Sequence, residues 1–230
     1  MNILSYYGFD RPPFLEIGAL DSADKISMYF ADRRKELSVL EGLNAWGGSF
    51  AAVLTGQDGV GKTTLLRLLA GLERPARGEI RLGDHALSGE TADAWRAGLG
   101  WMPQGPRFLG RSLRHNIGFG DDLDAELLQE THVAPIIRTL PAGALTPLGD
   151  TGAGLSGGEA RRVMLARALH RQPGIVLSDE PTADLDAETA RHIADALLDY
   201  VQAGGTLIVA THDPRLIERM QRHVALEAQP

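Results

Sequence analysis

The sequence predicts an α/β fold, a mainly parallel sheet covered by helices on both faces. Three observations carry this reading. An apolar run, Phe50–Leu54, leads into the glycine-rich turn Gly56-Gln57-Asp58-Gly59-Val60-Gly61-Lys62-Thr63 and then into a helix through Leu65, Leu66, Leu68 and Leu69. A second apolar run, Ile175-Val176-Leu177, ends in Ser178-Asp179-Glu180, and a third spans Thr206–Ala210. Runs that are apolar throughout suit strands buried on both faces, and their alternation with helical patterns implies a parallel sheet.

In chain order, residues 1–13, with Tyr6, Tyr7, Phe9 and Pro12-Pro13, read as an N-terminal arm or linker. Phe14–Ile17 and Ile26–Phe30 are short β-like runs ahead of Phe50–Leu54. The helix after the turn stops at Gly71, Pro75 and Gly78 bracket a turn, and Glu79–Leu82 alternates as an exposed strand does. Leu99–Met102 is a short apolar run closed by Pro103. Residues 105–155 break the strand–helix alternation and read as a helical insert, with Ala125–Leu140 its clearest helix. A helix runs from Ser156 to Leu169, an amphipathic helix from Ala187 to Val201 with Ile193, Ala196, Leu197 and Tyr200 on one side, and a last helix from Pro214 to Arg222. The expected organisation is therefore an arm (1–13), a core (14–104 and 156–225) and a helical subdomain (105–155).

Composition narrows the function classes. The 230 residues are 43% hydrophobic, enough for one large domain or a domain with an insert. The net charge of −7 argues against a nucleic-acid partner held through phosphates. Lysine occurs only at positions 25, 35 and 62, so one of the three lies in the glycine-rich turn. The absence of Cys excludes disulfides, zinc–thiolate sites and a catalytic thiol. No apolar run approaches the roughly 18–20 residues that span a bilayer, and Met1–Phe14 lacks a basic-then-apolar leader pattern. The chain as given is expected to be soluble, with any membrane spanning left to another polypeptide or segment.

Gly56–Thr63 fits G-x-x-x-x-G-K-[ST] in its required context, a strand before and a helix after. The backbone N–H groups of Gly56, Gln57, Asp58, Gly59, Val60 and Gly61 are expected to cradle phosphate oxygens at the positive end of the following helix. Lys62 is expected to reach the β- and γ-phosphates, Thr63 to ligate Mg²⁺, and Thr64 to touch the α-phosphate. Asp58 is an anomaly: an acid beside phosphates repels them unless its side chain points away. Asp179 ends a buried strand, the place from which phosphate-loop enzymes hold Mg²⁺, and Glu180 next to it can orient or deprotonate a water. Ser178, polar in an apolar strand, is expected to find a hydrogen-bond partner. Seven histidines are scattered without metal-ligand spacing. Only His212 follows a buried strand where a γ-phosphate contact is available, and the other six are expected to be solvated or structural.

With these elements the chain resembles the nucleotide-binding domain of ATP-binding-cassette (ABC) transporters over roughly residues 14–225. Gly56–Thr63 matches the Walker A loop, and Trp101-Met102-Pro103-Gln104 looks like the Q-loop, whose Gln104 touches Mg²⁺ and water and faces the membrane partner. Leu155-Ser156-Gly157-Gly158-Glu159 resembles the LSGGQ signature, with Glu159 where the family usually has Gln. Asp179 and Glu180 match the Walker B acid and catalytic glutamate, Asp186 in Ala183-Asp184-Leu185-Asp186 the D-loop, and His212 in Thr211-His212-Asp213 the switch histidine. The resemblance implies a phosphate-loop NTPase fold of ABC type, with an antiparallel N-terminal β subdomain and a helical signature subdomain. It implies an adenine-stacking aromatic, for which Tyr29 and Phe30 are the candidates, each equally readable as core.

The implied activity is Mg²⁺-dependent hydrolysis of ATP. Glu180, His212, Gln104 and Lys62 would serve catalysis, and Thr63, Gln104 and Asp179 the metal. Ser156, Gly157, Gly158 and Glu159 would meet ATP held by a second ABC ATPase domain, in a homo- or heterodimer. The implied partner is a transmembrane domain or subunit, and the implied place the cytoplasmic face of the inner membrane. Leu109–Ile117 and Leu148–Gly152 are similar to exporter segments, and the run from Leu140 to Leu169 is most similar to the ATPase domain of the bacterial cysteine/glutathione exporters that support cytochrome bd assembly. Tyr6-Tyr7-Gly8-Phe9 and Pro13-Phe14 are also similar to the start of secretion-associated AAA-type ATPases. Two other readings stay open. A non-transport ABC-type ATPase, a regulator or DNA-associated protein, usually carries two cassettes or a long coiled coil, neither of which is present. A nucleotide-binding module without turnover would not need the full catalytic set.

Overall fold

The structure, a computed structural model, describes residues 26–29, 49–75, 79–82, 85–89, 91–150, 152 and 154–226. The arm (1–13), Phe14–Ile17 and Phe30 lie outside the described residues.

Five strands form one parallel sheet: β2 (Ala51–Thr55), β5 (Leu99–Met102), β6 (Ile175–Asp179), β7 (Thr206–Ala210) and β8 (Arg222–Ala225), in the order β5-β6-β7-β2-β8. A separate antiparallel sheet joins β1 (Ile26–Tyr29), β3 (Glu79–Leu82) and β4 (His85–Ala86) in the order β1-β3-β4. Helices follow the strands: α1 (Lys62–Leu69), α2 (Ala92–Ala97), α3 (Leu113–Gly118), α4 (Ala125–Glu130), α5 (Val133–Thr139), α6 (Gly157–Leu169), α7 (Ala187–Gln202) and α8 (Pro214–Ile217).

The apolar runs are explained by alternation across the sheet. Ala52, Leu54, Leu177, Ile208, Ala210 and Val224 point to the face covered by Leu66 and Leu69 of α1. Ala51, Val53, Val176, Leu207 and Val209 point to the other, covered by Leu165, Ala168 and Leu169 of α6 and Ile193 and Leu197 of α7. The central strands β2 and β7 are thus buried on both sides, which is why their positions are almost all apolar. A third cluster, Phe108, Leu113, Ile117, Val133, Ile136 and Leu148, packs on Ala160, Val163, Met164 and Ala166 of α6. Helix α6 therefore sits between the sheet and the helical segment.

Two expected helices are corrected. Ala125–Leu140 is two helices, broken at His132, whose φ is +54°. Pro135 is the reason: mid-helix it would lack an N–H and clash with the Thr131 carbonyl, whereas in the first turn of α5 neither costs anything. The last helix stops at Ile217, and Arg222–Ala225 instead pairs with β2. Burial of Val224 and Leu226 at the sheet edge outweighs continuing an exposed helix. Ser178 is also corrected: its Oγ is buried and has no hydrogen-bond partner among the described residues.

Candidate functional site

Strand β2 ends at Thr55, and the chain turns through residues 56–61 into α1. Gly56 sits at φ +144°, and a Cβ there would lie 2.5 Å from the Leu226 carbonyl oxygen, so only glycine fits. Gly61, at φ +100°, is the N-cap of α1 and offers no side-chain cap, which leaves the first amides of the helix open to an anion. Lys62 is the first residue of α1 and is buried; its Nζ donates to the carbonyls of Gly56 at 2.7 Å and Gln57 at 3.1 Å. The ammonium thus ties the loop together and stands within it. Thr63 and Thr64 follow, exposed, on the first turn.

Neighbouring strand ends bring further groups to this loop. Asp179, the last residue of β6, is 2% exposed, and burial pushes its carboxyl above the usual carboxylate range, against a hydrogen bond from Thr63. A hydroxyl and a buried carboxyl on one hydrogen bond form an oxygen-only pair that suits Mg²⁺, which keeps water and substrate oxygens as its other ligands. Glu180 follows at φ +47°, its N–H held by the Ala210 carbonyl at 2.8 Å. That left-handed residue swings the side chain toward the end of β7, where its Oε2 accepts from Thr211 Oγ1 at 3.0 Å and from the His212 N–H at 3.3 Å. His212 Nε2 lies 3.8 Å from Glu180 Oε1, 2.8 Å from Lys62 Nζ and 3.0 Å from Asp58 Oδ1. Asp58 is 97% exposed and reaches across the loop mouth to His212, so its carboxylate stands beside the Lys62–His212 pair rather than clear of it.

Gln104 leaves β5 at the same sheet edge, since Met102 pairs with Ser178 one residue before Asp179, and it is exposed. Ser156 caps α6, its Oγ accepting from the Glu159 N–H at 3.3 Å while Glu159 Oε2 accepts from the Ser156 N–H at 2.8 Å and from its hydroxyl at 2.9 Å. This capping box uses Glu159 fully and leaves Gly157 open to solvent. Gly158 rests on Thr189 of α7, where a Cβ would come within 3.1 Å. Asp186 caps α7 through the N–H groups of Glu188 and Thr189, which hold its carboxyl below the usual range. Tyr29 lies on β1 opposite Glu79; its side chain lies outside what the structure describes.

Two participants were not read from the sequence. Thr211 binds Glu180, and a hydroxyl just after an apolar strand was its only signal. Arg161, fifth residue of α6 and 6% exposed, donates through Nη1 to the Pro103 carbonyl at 3.3 Å. Burial lowers its guanidinium from the ordinary value, opposed by the charges of Asp184, Asp179 and Glu180. In the sequence it was one of two adjacent arginines on a helix, with no signal that one faced inward.

A glycine loop on a helix start, an acid at the end of a strand two places along the same sheet and a helix capped by Ser-Gly-Gly define an ABC-type phosphate-loop domain. Residues 48–183 match the family described as ABC transporter, and the chain belongs to that family. It is 33% identical over 228 residues to the probable microcin-H47 secretion/processing ATP-binding protein MchF of Escherichia coli, covering 94% of this chain and 32% of that protein. It is 36% identical over 211 residues to the lipoprotein-releasing system ATP-binding protein LolD 1 of Rhodospirillum rubrum, covering 88% of this chain and 93% of that protein. It is 36% identical over 181 residues to the ATP-dependent lipid A-core flippase of Alkalilimnicola ehrlichii, covering 76% and 31%. The chain thus spans about a third of the secretion protein and of the flippase, and nearly all of LolD 1. Among the described residues, no helix is long and apolar enough to cross a membrane.

Proposed function

We propose that this chain is the ATP-hydrolysing domain or subunit of an exporter, and that two such domains close on ATP. The observation that supports this most is the convergence of Asp179, Glu180 and His212, from two adjacent strand ends, on the loop that holds Lys62. A module that only bound nucleotide would need the loop and Lys62 alone. Relatives named for secretion and for lipid A flipping support export over a regulator or a DNA-associated ATPase.

In this reading the backbone of 56–61 and Lys62 hold the β- and γ-phosphates. Thr63 and Asp179 hold Mg²⁺, with Gln104 approaching from β5; the metal, when bound, neutralises phosphate charge. Glu180, fixed by Thr211, orients the attacking water and takes its proton. His212, freed from Asp58, turns to the γ-phosphate. Ser156 Oγ and the amides of Gly157 and Gly158 complete the site on the opposite domain, because a helix start is an anion site. ATP joins the two domains, and hydrolysis releases them. Gln104 and residues 105–120 would face a transmembrane partner, which places the domain at the cytoplasmic face of the membrane, without nucleic acid. Within the exporters, we propose the cysteine/glutathione type, on the likeness of Leu140–Leu169.

Substitution E180Q tests the reading. Purified E180Q should form an ATP-dependent dimer in sedimentation and lose nearly all phosphate release. A variant that stays monomeric in saturating ATP and hydrolyses at the wild-type rate sinks it.

A further inference from the structure

We propose that Arg161 is a positioning residue that links a domain's own catalytic acids to the signature it presents to its partner, and so couples the two ATP sites. The inference rests on the dimer reading above. Arg161 lies one turn beyond the Ser156 cap, on the helix whose exposed start is Gly157. Its guanidinium faces inward, 3.3 Å from the Pro103 carbonyl, the peptide that leads into Gln104. Asp184, Asp179 and Glu180 are the charges that favour it. One side chain therefore touches the Gln104 loop, answers electrostatically to both acids and to the segment before Asp186, and stands on the signature helix.

Burying a guanidinium with one hydrogen bond among the described residues is costly unless neighbouring charge offsets it. If packing alone were needed, Met would fill the space at lower cost. The offset here comes from carboxylates whose charge balance would change with substrate: a cation held by Asp179 would neutralise part of it, and a shift of Gln104 would move the loop that Arg161 binds. Either event changes what holds Arg161, and the stiff first turns of α6 carry that change to Ser156 and Gly157. Occupancy of one site then alters the fit of the signature at the other, a coupling free energy between sites.

The experiment compares wild type with R161M, R161Q and R161K in ATPase titrations and thermal melts, alongside E180Q in sedimentation. Wild type should be cooperative in ATP, with a Hill coefficient near 2 for two coupled sites. R161M should fall toward 1 and need about fivefold more ATP for half-saturation, with kcat falling by a smaller factor than the rise in half-saturation. R161K, which keeps the charge, should retain cooperativity. If R161M does not fold, R161Q takes its place: its head is polar but uncharged and too short for the Pro103 contact, and it should also lose cooperativity. A folded R161M or R161Q with the wild-type coefficient overturns the proposal, as does a non-cooperative wild type, or R161K losing cooperativity equally. If E180Q dimerises with ATP and R161M stays cooperative, the coupling alone fails. If E180Q never dimerises, the dimer reading fails and the coupling with it.

Discussion

Lys62 Nζ lies 2.8 Å from Nε2 of His212, and the same nitrogen lies 3.0 Å from Asp58 Oδ1. An imidazole nitrogen carries either a proton or a lone pair. It can accept from Lys62 or donate to Asp58, but not both, so one contact is always unsatisfied. Both Lys62 and His212 are expected at the γ-phosphate, and here Asp58 occupies His212 with a carboxylate. Substitution D58N should therefore lower the ATP concentration for half-maximal hydrolysis by about fivefold at low salt, from reduced like-charge repulsion and a freed His212. The gain should shrink at high ionic strength, because Asp58 is exposed and screened. ATP titrations at two salt concentrations check this; equal half-saturation at low salt would mean that Asp58 plays no part.

Glu159 separates capping from anion binding. Gln retains the reciprocal bonds to Ser156 but removes a negative charge from the start of α6. E159Q should tighten the ATP-dependent dimer several-fold by sedimentation, because like-charge repulsion near the phosphates falls, while Tm drops by no more than about 2–4 °C as the favourable charge at the helix start is lost. E159A should lose the box and weaken α6 by about 1 kcal/mol, lowering Tm by about 2–4 °C.

What the sequence made legible follows from where the information is local. The Gly56–Thr63 loop, the buried strands and the Ser156 cap each depend on neighbours in the chain, and their residue types announce them. The break at His132 is also local, but the strong apolar period around Pro135 masks it. Strand β8 was hidden because His223-Val224-Ala225 is too short to show a period, and only β2 makes it a strand. Arg161 and the Asp58–His212 contact join residues far apart in sequence, which no pattern along the chain records. Asn116 is similar: it reads as a polar residue in a short helix, yet it is fully buried.

Asn116 holds the helical segment to α6. Its Oδ1 accepts from the Leu109 N–H at 2.8 Å and from Arg167 Nη2 at 2.6 Å, and its Nδ2 donates to the carbonyls of Leu109, Arg111 and Ser112. Arg167 also donates to the carbonyls of Asn116 and of Arg107. N116A leaves part of a buried guanidinium and several backbone groups unsatisfied. It should cost about 3–5 kcal/mol and lower Tm by roughly 10 °C. N116D, which keeps the acceptor for Arg167 but loses the donors, should fall between. Thermal melts decide; a loss under about 2 °C for N116A would show that water replaces the network.

Acid should destabilise the fold through histidines held neutral. His132 stacks on His192 with ring centroids 4.0 Å apart. Burial lowers the His132 pKa first, then the charges of His192, Arg162 and Arg191, with Glu188 opposing. Burial likewise lowers His170, whose Nδ1 has no partner among the described residues, with Asp121 and Asp124 opposing and Arg171 assisting. Both folded values lie below the ordinary value, about 6.5, that an unfolded chain adopts. The unfolded state therefore binds more protons just below that pH, and stability rises with pH. The contribution is fully present above about pH 6.5 and is lost as pH falls through the folded values. Tm should hold between pH 8 and 7 and fall from 6.5 to 5.5. H132N tests the source, since Asn tolerates the left-handed backbone at position 132 and does not titrate. It should flatten that fall without changing Tm much at pH 8; an unchanged slope would place the acid sensitivity at His170 or elsewhere.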